Sequence, residues 1–261
     1  EVNNPERGGI LLSELLRRMP QLDTGLVVGG PPCQGLSTLS RQSVGFQDPR
    51  SDGVPIFAEL VVMLKAGAPS IEWHAMMENV ASMVDSDRAA ITEMLKPAGF
   101  SLPYLFDSVI LSQIRRPRLY WMTWGPWSSQ LQYKDTRRGY IRVDNPSKER
   151  PPVQQFLDHG VKKCKEGEPF PTAVRWTARA CRPNYPAGIE DCDEQTIDKW
   201  RANHYAMPPY QYKTSLGVIA ADGEERPPNA RERERLHGFK PGHTEGFLEA
   251  TRVSLLGNSF H

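Results

Sequence analysis

The 261 residues carry 32 Lys and Arg against 31 Asp and Glu, so the net charge of +1 does not by itself announce a nucleic-acid binder. With 39% apolar residues it can build a sizeable core, in one large domain or two small ones. No apolar run approaches the ~18 residues of a membrane span, no signal-peptide pattern opens the chain, and the four cysteines, Cys33, Cys164, Cys181 and Cys192, form no C-x-x-C pair, which favours a reducing, intracellular setting over a disulfide framework.

In chain order, "GILLSELLRRMP" places Leu11, Leu12, Leu15, Leu16 and Met19 at helical spacing and stops at Pro20. "GLVVGG" reads as a short buried strand. "PIFAELVVMLKAG" predicts an amphipathic helix with Pro55 in its first turn and Phe57, Leu60, Val61 and Leu64 on its buried face. "IEWHAMMENV" predicts a strand, and "DRAAITEMLKPAGF" a helix closed by Gly99. "YLFDSVIL" and "LYWMTW" predict two more strands, separated by "SQIRRPR". This alternation up to Trp124 is the pattern of an α/β sheet covered by helices. From Gly125 to Pro228 the pattern dissolves into prolines, tryptophans and charges, with short helical signals at "VQQFLDHG" and "DEQTIDKWRANHY". Order returns at "NARERERLHGF", where Asn229 and Glu232 spell a capping box. Residues 1–124, 125–228 and 229–261 are therefore taken as an α/β core, a loop-rich region and a return to the core.

Three stretches carry chemistry. "GGPPCQGLS" sets Cys33 behind two prolines at the end of a strand, where open α/β sheets bind ligands. Pro31 and Pro32 fix φ and remove two amide donors, which suits a thiol that must be aimed; a cysteine buried in an ordinary turn stays equally open on this stretch alone. "MMENV" puts Glu78 at the end of the next parallel strand, as a helix cap, a solvated carboxylate or a partner for a heterocyclic ring. "QIRRPRLYW" sets Arg116 and Arg118 two apart at a strand entry, which on one strand would turn both guanidinium groups to the same face. There they would hold a carbonyl oxygen, orient Glu78, touch phosphate, or guard a sheet edge. From Ser112 to Arg150 nine Lys and Arg face three Asp and Glu, a local excess suited to phosphate or to a solvated loop. Cys164, Cys181, Cys192 and His204 stand at wide, irregular spacings, and no metal site is expected.

Taken together and in order, "GGPPCQGLS", "ENV", "RRPRLYW", a variable stretch, "RERERLHGF" and "LLGNSF" resemble the DNA (cytosine-5)-methyltransferases, with a short spacing and R-x-R form similar to the animal de novo branch. The resemblance implies an incomplete Rossmann-like sheet of the S-adenosylmethionine-dependent type, with 125–228 as its target-recognition region. It implies DNA as partner and, in a eukaryote, the nucleus as compartment. Cys33 would add to C6 of a flipped cytosine, Glu78 would hold N3 and the exocyclic amine, and Arg118 would contact the ring oxygen with Arg116 supporting the site. Pro32, Pro55, Asn258 and Ser259 would contact S-adenosylmethionine. Ser37 and Arg41, in the loop after the thiol, would contact phosphate. Arg175, Trp176, Arg179 and Arg182 are candidates for DNA contact on their chemistry alone, with packing and solvation equally open to them.

Two departures from that family stand out. Ile114 occupies the place before the arginine pair where Gln is usual, and Gln113 is displaced by one. The glycine-rich "F-x-G-x-G" turn that grips the methionine end of the donor is absent, and only 28 residues precede "GGPPC". The expectation is a fragment whose donor half-site lies outside it and which binds the donor poorly alone. The alternatives are a transfer-RNA cytosine-5 methyltransferase, whose "Cys-Phe-Thr" signature is missing here, and an inactive DNA-binding relative.

Overall fold

The computed structural model describes residues 14, 17–18, 21–32, 52–125, 128–145, 149–165, 167–172, 189, 192–202 and 209–259. The helix expected over 9–20 lies mostly outside them. The chain divides into two compact units, Glu1–Phe106 with Pro117–Pro146, and Asp107–Arg116 with Ser147–His261.

The first unit is built on a six-stranded mixed sheet. Its strands are β1 (Thr24–Gly29), β2 (Glu72–Val80), β3 (Tyr104–Asp107), β5 (Pro117–Met122), β6 (Gln132–Asp135) and β7 (Ile141–Asp144), in the order β1-β2-β5-β3-β7-β6. Helix α1 (Gly53–Gly67) joins the parallel strands β1 and β2, and α2 (Asp85–Leu95) follows β2. Both helices turn apolar faces to the sheet: Val54, Phe57 and Val61 of α1 and Ile91 and Leu95 of α2 meet Ala75 and Met77 of β2 and Leu119 and Trp121 of β5. The Trp121 indole N–H donates to the Thr92 hydroxyl at 3.0 Å, so this fully buried ring has its polar atom satisfied. On the opposite face Tyr104, Met122 and Val143 form a smaller core.

Several expected elements change length or character. β1 is not buried throughout: Leu26 and Val28 are exposed, and only its Gly25, Val27 and Gly29 side is packed. The expected strand over 104–111 stops at Asp107, whose carboxylate accepts from the Val109 and Arg116 amides and bends the chain into a short 3₁₀ turn, Ser108–Ile110. Gly99 closes the segment after α2 with φ of 87°, as its position predicts. The sheet also continues beyond Trp124, through the antiparallel pair β6 and β7. The turn joining them carries Arg137 and Gly139 at positive φ, and buried Arg88 of α2 donates to its Arg138 carbonyl and lies over Tyr140.

In the second unit, β4 (Ile114–Arg115) pairs with β9 (Phe170–Pro171), and β8 (Lys162–Lys163), β10 (Val218–Ile219) and β11 (Glu225–Arg226) form a small sheet. Ile114, Val153, Leu157, Val161, Phe170, Val218 and Leu236 make its core. The helical signal at 153–160 proves to be only a 3₁₀ turn, Val153–Gln155, whereas 194–202 is a helix, α3 (Glu194–Ala202). Helix α4 (Ala230–Leu236) has the expected capping box between Asn229 and Glu232, and α5 (Glu249–Asn258) follows. No helix of the described residues is long and apolar enough to cross a membrane.

Candidate active site

Because β1 and β2 are parallel, their carboxyl ends open at the same edge of the sheet. The register pairs Gly29 with Met77, which sets Glu78 one step beyond the end of β1. At that edge β1 runs into Pro31 and Pro32, and two contacts hold this dipeptide. A Cβ on Gly53 would lie 3.1 Å from Pro31 Cβ and 3.3 Å from Pro32 Cδ, so glycine lets the first turn of α1 press against both rings. Asn79 Nδ2 donates to the Pro31 carbonyl at 3.3 Å, while Asn79 Oδ1 accepts from the Val80 amide at 2.8 Å. Asn79 is buried, so this bond fastens the turn before Cys33 to the end of β2.

Successive residues of a strand take opposite faces. Asn79 turns to Pro31, and Glu78 turns to β5. There Val80 lies opposite Arg118 and Glu78 opposite Tyr120, so the carboxylate reaches diagonally to Arg118. Glu78 Oε1 and Arg118 Nε are 2.8 Å apart, and each side chain is only 13% exposed. Arg118 Nη1 also donates to the Pro117 carbonyl at 2.9 Å. Of the roles open to the arginine, orienting Glu78 is the one its geometry displays. A shielded carboxyl beside a guanidinium can accept along the edge of a planar heterocycle, and donate there when it carries a proton.

Arg116 departs from expectation. β4 ends at Arg115 and β5 begins at Pro117, so Arg116 lies in neither strand and strand alternation does not set its direction. Its amide donates to Asp107 Oδ1 at 2.7 Å, and its guanidinium bonds Thr172 Oγ1 and the carbonyls of Gly257 and Ser259. The two arginines therefore hold different partners.

Of the donor-contact candidates, Pro32 is exposed at the end of β1 and Pro55 half-buried in the first turn of α1. Asn258 is exposed at the end of α5, and Ser259 closes that helix, its hydroxyl donating to the Leu256 carbonyl at 2.7 Å. Cys33, Ser37, Arg41, Arg175, Trp176, Arg179 and Arg182 lie outside the described residues. The sequence reading missed Asn79 and Gly53. The one available signal for Asn79 was a polar residue near the end of an otherwise apolar strand, directly after Glu78.

A model of the C-5 cytosine-specific DNA methylase family matches residues 11–112, a span that holds Cys33 and Glu78. That span is similar to the cytosine-5 methyltransferase family. Over 93 residues the chain is 34% identical to the type II methyltransferase M1.HphI of Haemophilus parahaemolyticus; the matched part is 34% of this chain and 23% of the relative, so the chain spans about a quarter of that relative's length. Among solved structures, the Entamoeba histolytica methyltransferase EhMeth is similar at 14% identity and a TM-score of 0.47, covering 94% of this chain and 75% of its own. A mutant of Spodoptera frugiperda DNMT2 gives 14% identity and a TM-score of 0.47 over 96% of this chain and 78% of its own. Within the matched span, Glu78, Asn79 and the Pro31–Pro32 turn are the described residues gathered at the carboxyl ends of β1 and β2.

Proposed function

We propose that the full-length protein methylates C5 of cytosine in DNA through a transient bond between Cys33 and C6. The observation that carries this reading is the Glu78–Arg118 pair at the carboxyl end of β2, in a span similar to the cytosine-5 methyltransferase family and beside the clamped turn that leads to Cys33. The Cys33 thiolate adds to C6 and the C5=C6 π pair moves toward C5. Glu78, carrying a proton, donates it to N3 and accepts from the exocyclic amine, so the electron density drawn into the ring is neutralised, and N3 returns the proton as the adduct collapses; Arg118 holds Glu78 in place while facing the ring oxygen. C5 takes the methyl group, a base removes the C5 proton, and the electron pair returns to the ring as the C6–S bond breaks. The target must leave the stack, because a stacked ring offers no access to the two faces; this costs a few kcal/mol, recovered in the pocket.

S-adenosylmethionine supplies the electrophilic methyl when bound. The residues present fit one side of it: the Gly53 approach closes α1 onto the proline turn and leaves Pro32 exposed on that edge. Pro32 and Pro55 would hold the donor there, and Asn258 and Ser259 are its C-terminal candidates.

Support for DNA over transfer RNA comes from the ordered motifs and from the absent "Cys-Phe-Thr" signature. Labelled methyl transfer to a cytosine-containing duplex and to transfer RNA separates the two acceptors. The expected product is 5-methylcytosine in the duplex; label in transfer RNA alone contradicts the proposal.

A further inference from the structure

Arg116 is 2% exposed, and every partner of its guanidinium named above lies in the second unit. Nη1 donates to Thr172 Oγ1 at 2.8 Å and to the Gly257 carbonyl at 3.0 Å, and Nη2 donates to the Ser259 carbonyl at 2.5 Å. Two of these acceptors are carbonyls at the C-terminal end of α5, where helix carbonyls have no intrahelical donor and the helix dipole favours a cation. The third is itself anchored. Gln211 Nε2 donates to the Thr172 carbonyl at 3.2 Å, Arg233 Nη2 donates to Gln211 Oε1 at 3.0 Å, and Arg233 Nε donates to the Pro228 carbonyl at 2.8 Å. Gln211 and Arg233 are each 2% exposed. A buried chain of hydrogen bonds thus runs from α4 to Arg116 and ends on the turn that carries Asn258 and Ser259.

Arg116 turns Nη1 to two acceptors and Nη2 to a third, all in the segment of Thr172 and the end of α5 and none of them Glu78. We propose that Arg116 is a positioning residue that fixes the Gly257–Ser259 turn, and so presents Asn258 and Ser259 to the methyl donor. This rests on the methyltransferase reading above. Its consequence is a division of labour between neighbouring arginines: Arg118 orients Glu78 for the chemistry, and Arg116 shapes the donor contact. Lysine at position 116 keeps the charge but cannot span three acceptors with a planar fork.

The test uses the full-length protein and its Arg116→Lys, Thr172→Val and Arg118→Lys variants. Amide hydrogen exchange at 256–259, measured without any ligand, reads the clamp directly. Arg116→Lys is expected to speed exchange there and to weaken equilibrium binding of S-adenosylmethionine about tenfold, the scale of one or two lost charged hydrogen bonds. In turnover its loss falls on KM for the donor more than on kcat, whereas Arg118→Lys shows the reverse. Thr172→Val moves exchange and donor affinity in the same direction by about threefold, and it decides the matter if Arg116→Lys does not fold. Unchanged exchange at 256–259, or a loss confined to kcat with donor affinity intact, overturns the proposal. If the wild type transfers no methyl group to DNA, the functional reading fails separately, and exchange and donor binding still judge the clamp.

Discussion

A carboxylate does different work according to what surrounds it, and two glutamates of this chain show the contrast. Glu78 has a guanidinium at 2.8 Å and sits at the ligand edge of the sheet. Glu78→Gln keeps the shape but loses the charge and alters the pattern of donors and acceptors. It is expected to lower kcat by roughly 10²-fold or more, the scale of a positioned acid–base group, with little change in urea midpoint. Glu234 is fully buried in α4 and serves structure. Burial pushes its carboxyl up, but the Thr244 hydroxyl and amide, Arg252 and the Gly242 amide outweigh that and hold it at about 2. With an unfolded value of 4.5, the charge-dependent stabilisation is complete above about pH 4.5 and is lost as pH falls toward 2. The shift corresponds to about 3 kcal/mol. Urea unfolding of Glu234→Gln should show a large deficit at pH 6 that shrinks at pH 3; an equal deficit at both would contradict this. Glu78 and Arg118, which the structure pairs, could be picked out because each stands in a short motif whose neighbours are adjacent in sequence. The Asn79–Pro31 bond joins residues 48 apart, and Arg116 meets Thr172 across 56 and Ser259 across 143. No local pattern encodes such pairs.

Strand β1 shows how one element positions the site. Its small residues are where neighbouring aromatics lie flat: a Cβ on Gly29 would stand 2.5 Å from Phe57 Cε2 of α1. Gly29→Ala must displace that ring, which fills the main core, and is expected to cost about 1–3 kcal/mol in denaturant unfolding. Combined with Phe57→Leu, the loss should be smaller than the sum of the single losses, since the clash is removed; simple additivity would argue against it. Elements of this kind were legible. Phe57, Val61 and Leu64 recur at helical spacing, and Trp73, Ala75 and Met77 alternate along β2. The pair β6 and β7 was not legible, because Lys134, Asp135, Arg142 and Asp144 make both strands read as polar loop. Their pairing comes from the turn, the antiparallel backbone ladder and the cross-strand contact of Lys134 with Asp144. The strand predicted through Leu111 failed for a related reason: Asp107 offers its side chain to two backbone amides and so ends the ladder.

At the scale of the whole molecule, the near-neutral charge conceals an uneven distribution, with nine Lys and Arg against three Asp and Glu over 112–150, of which Arg116 is buried and Arg118, Lys134 and Arg142 hold carboxylates of the chain. The fold divides its labour as well. The first unit carries the sheet edge with Glu78, Arg118 and the proline turn, and the second carries the buried charge network of α4 and the end of α5. The proposed catalysis depends most on the thiol at position 33 bonding to the cytosine ring. The direct measurement is to incubate full-length protein with S-adenosylmethionine and a duplex containing 5-fluorocytosine, from which the C5 substituent cannot leave as a proton. A denaturation-resistant protein–DNA adduct that peptide mapping places on Cys33, and that Cys33→Ser abolishes, is the predicted result. Methylation of ordinary duplex by the same preparation with no adduct on the fluorinated one, or an adduct on another residue, would contradict it.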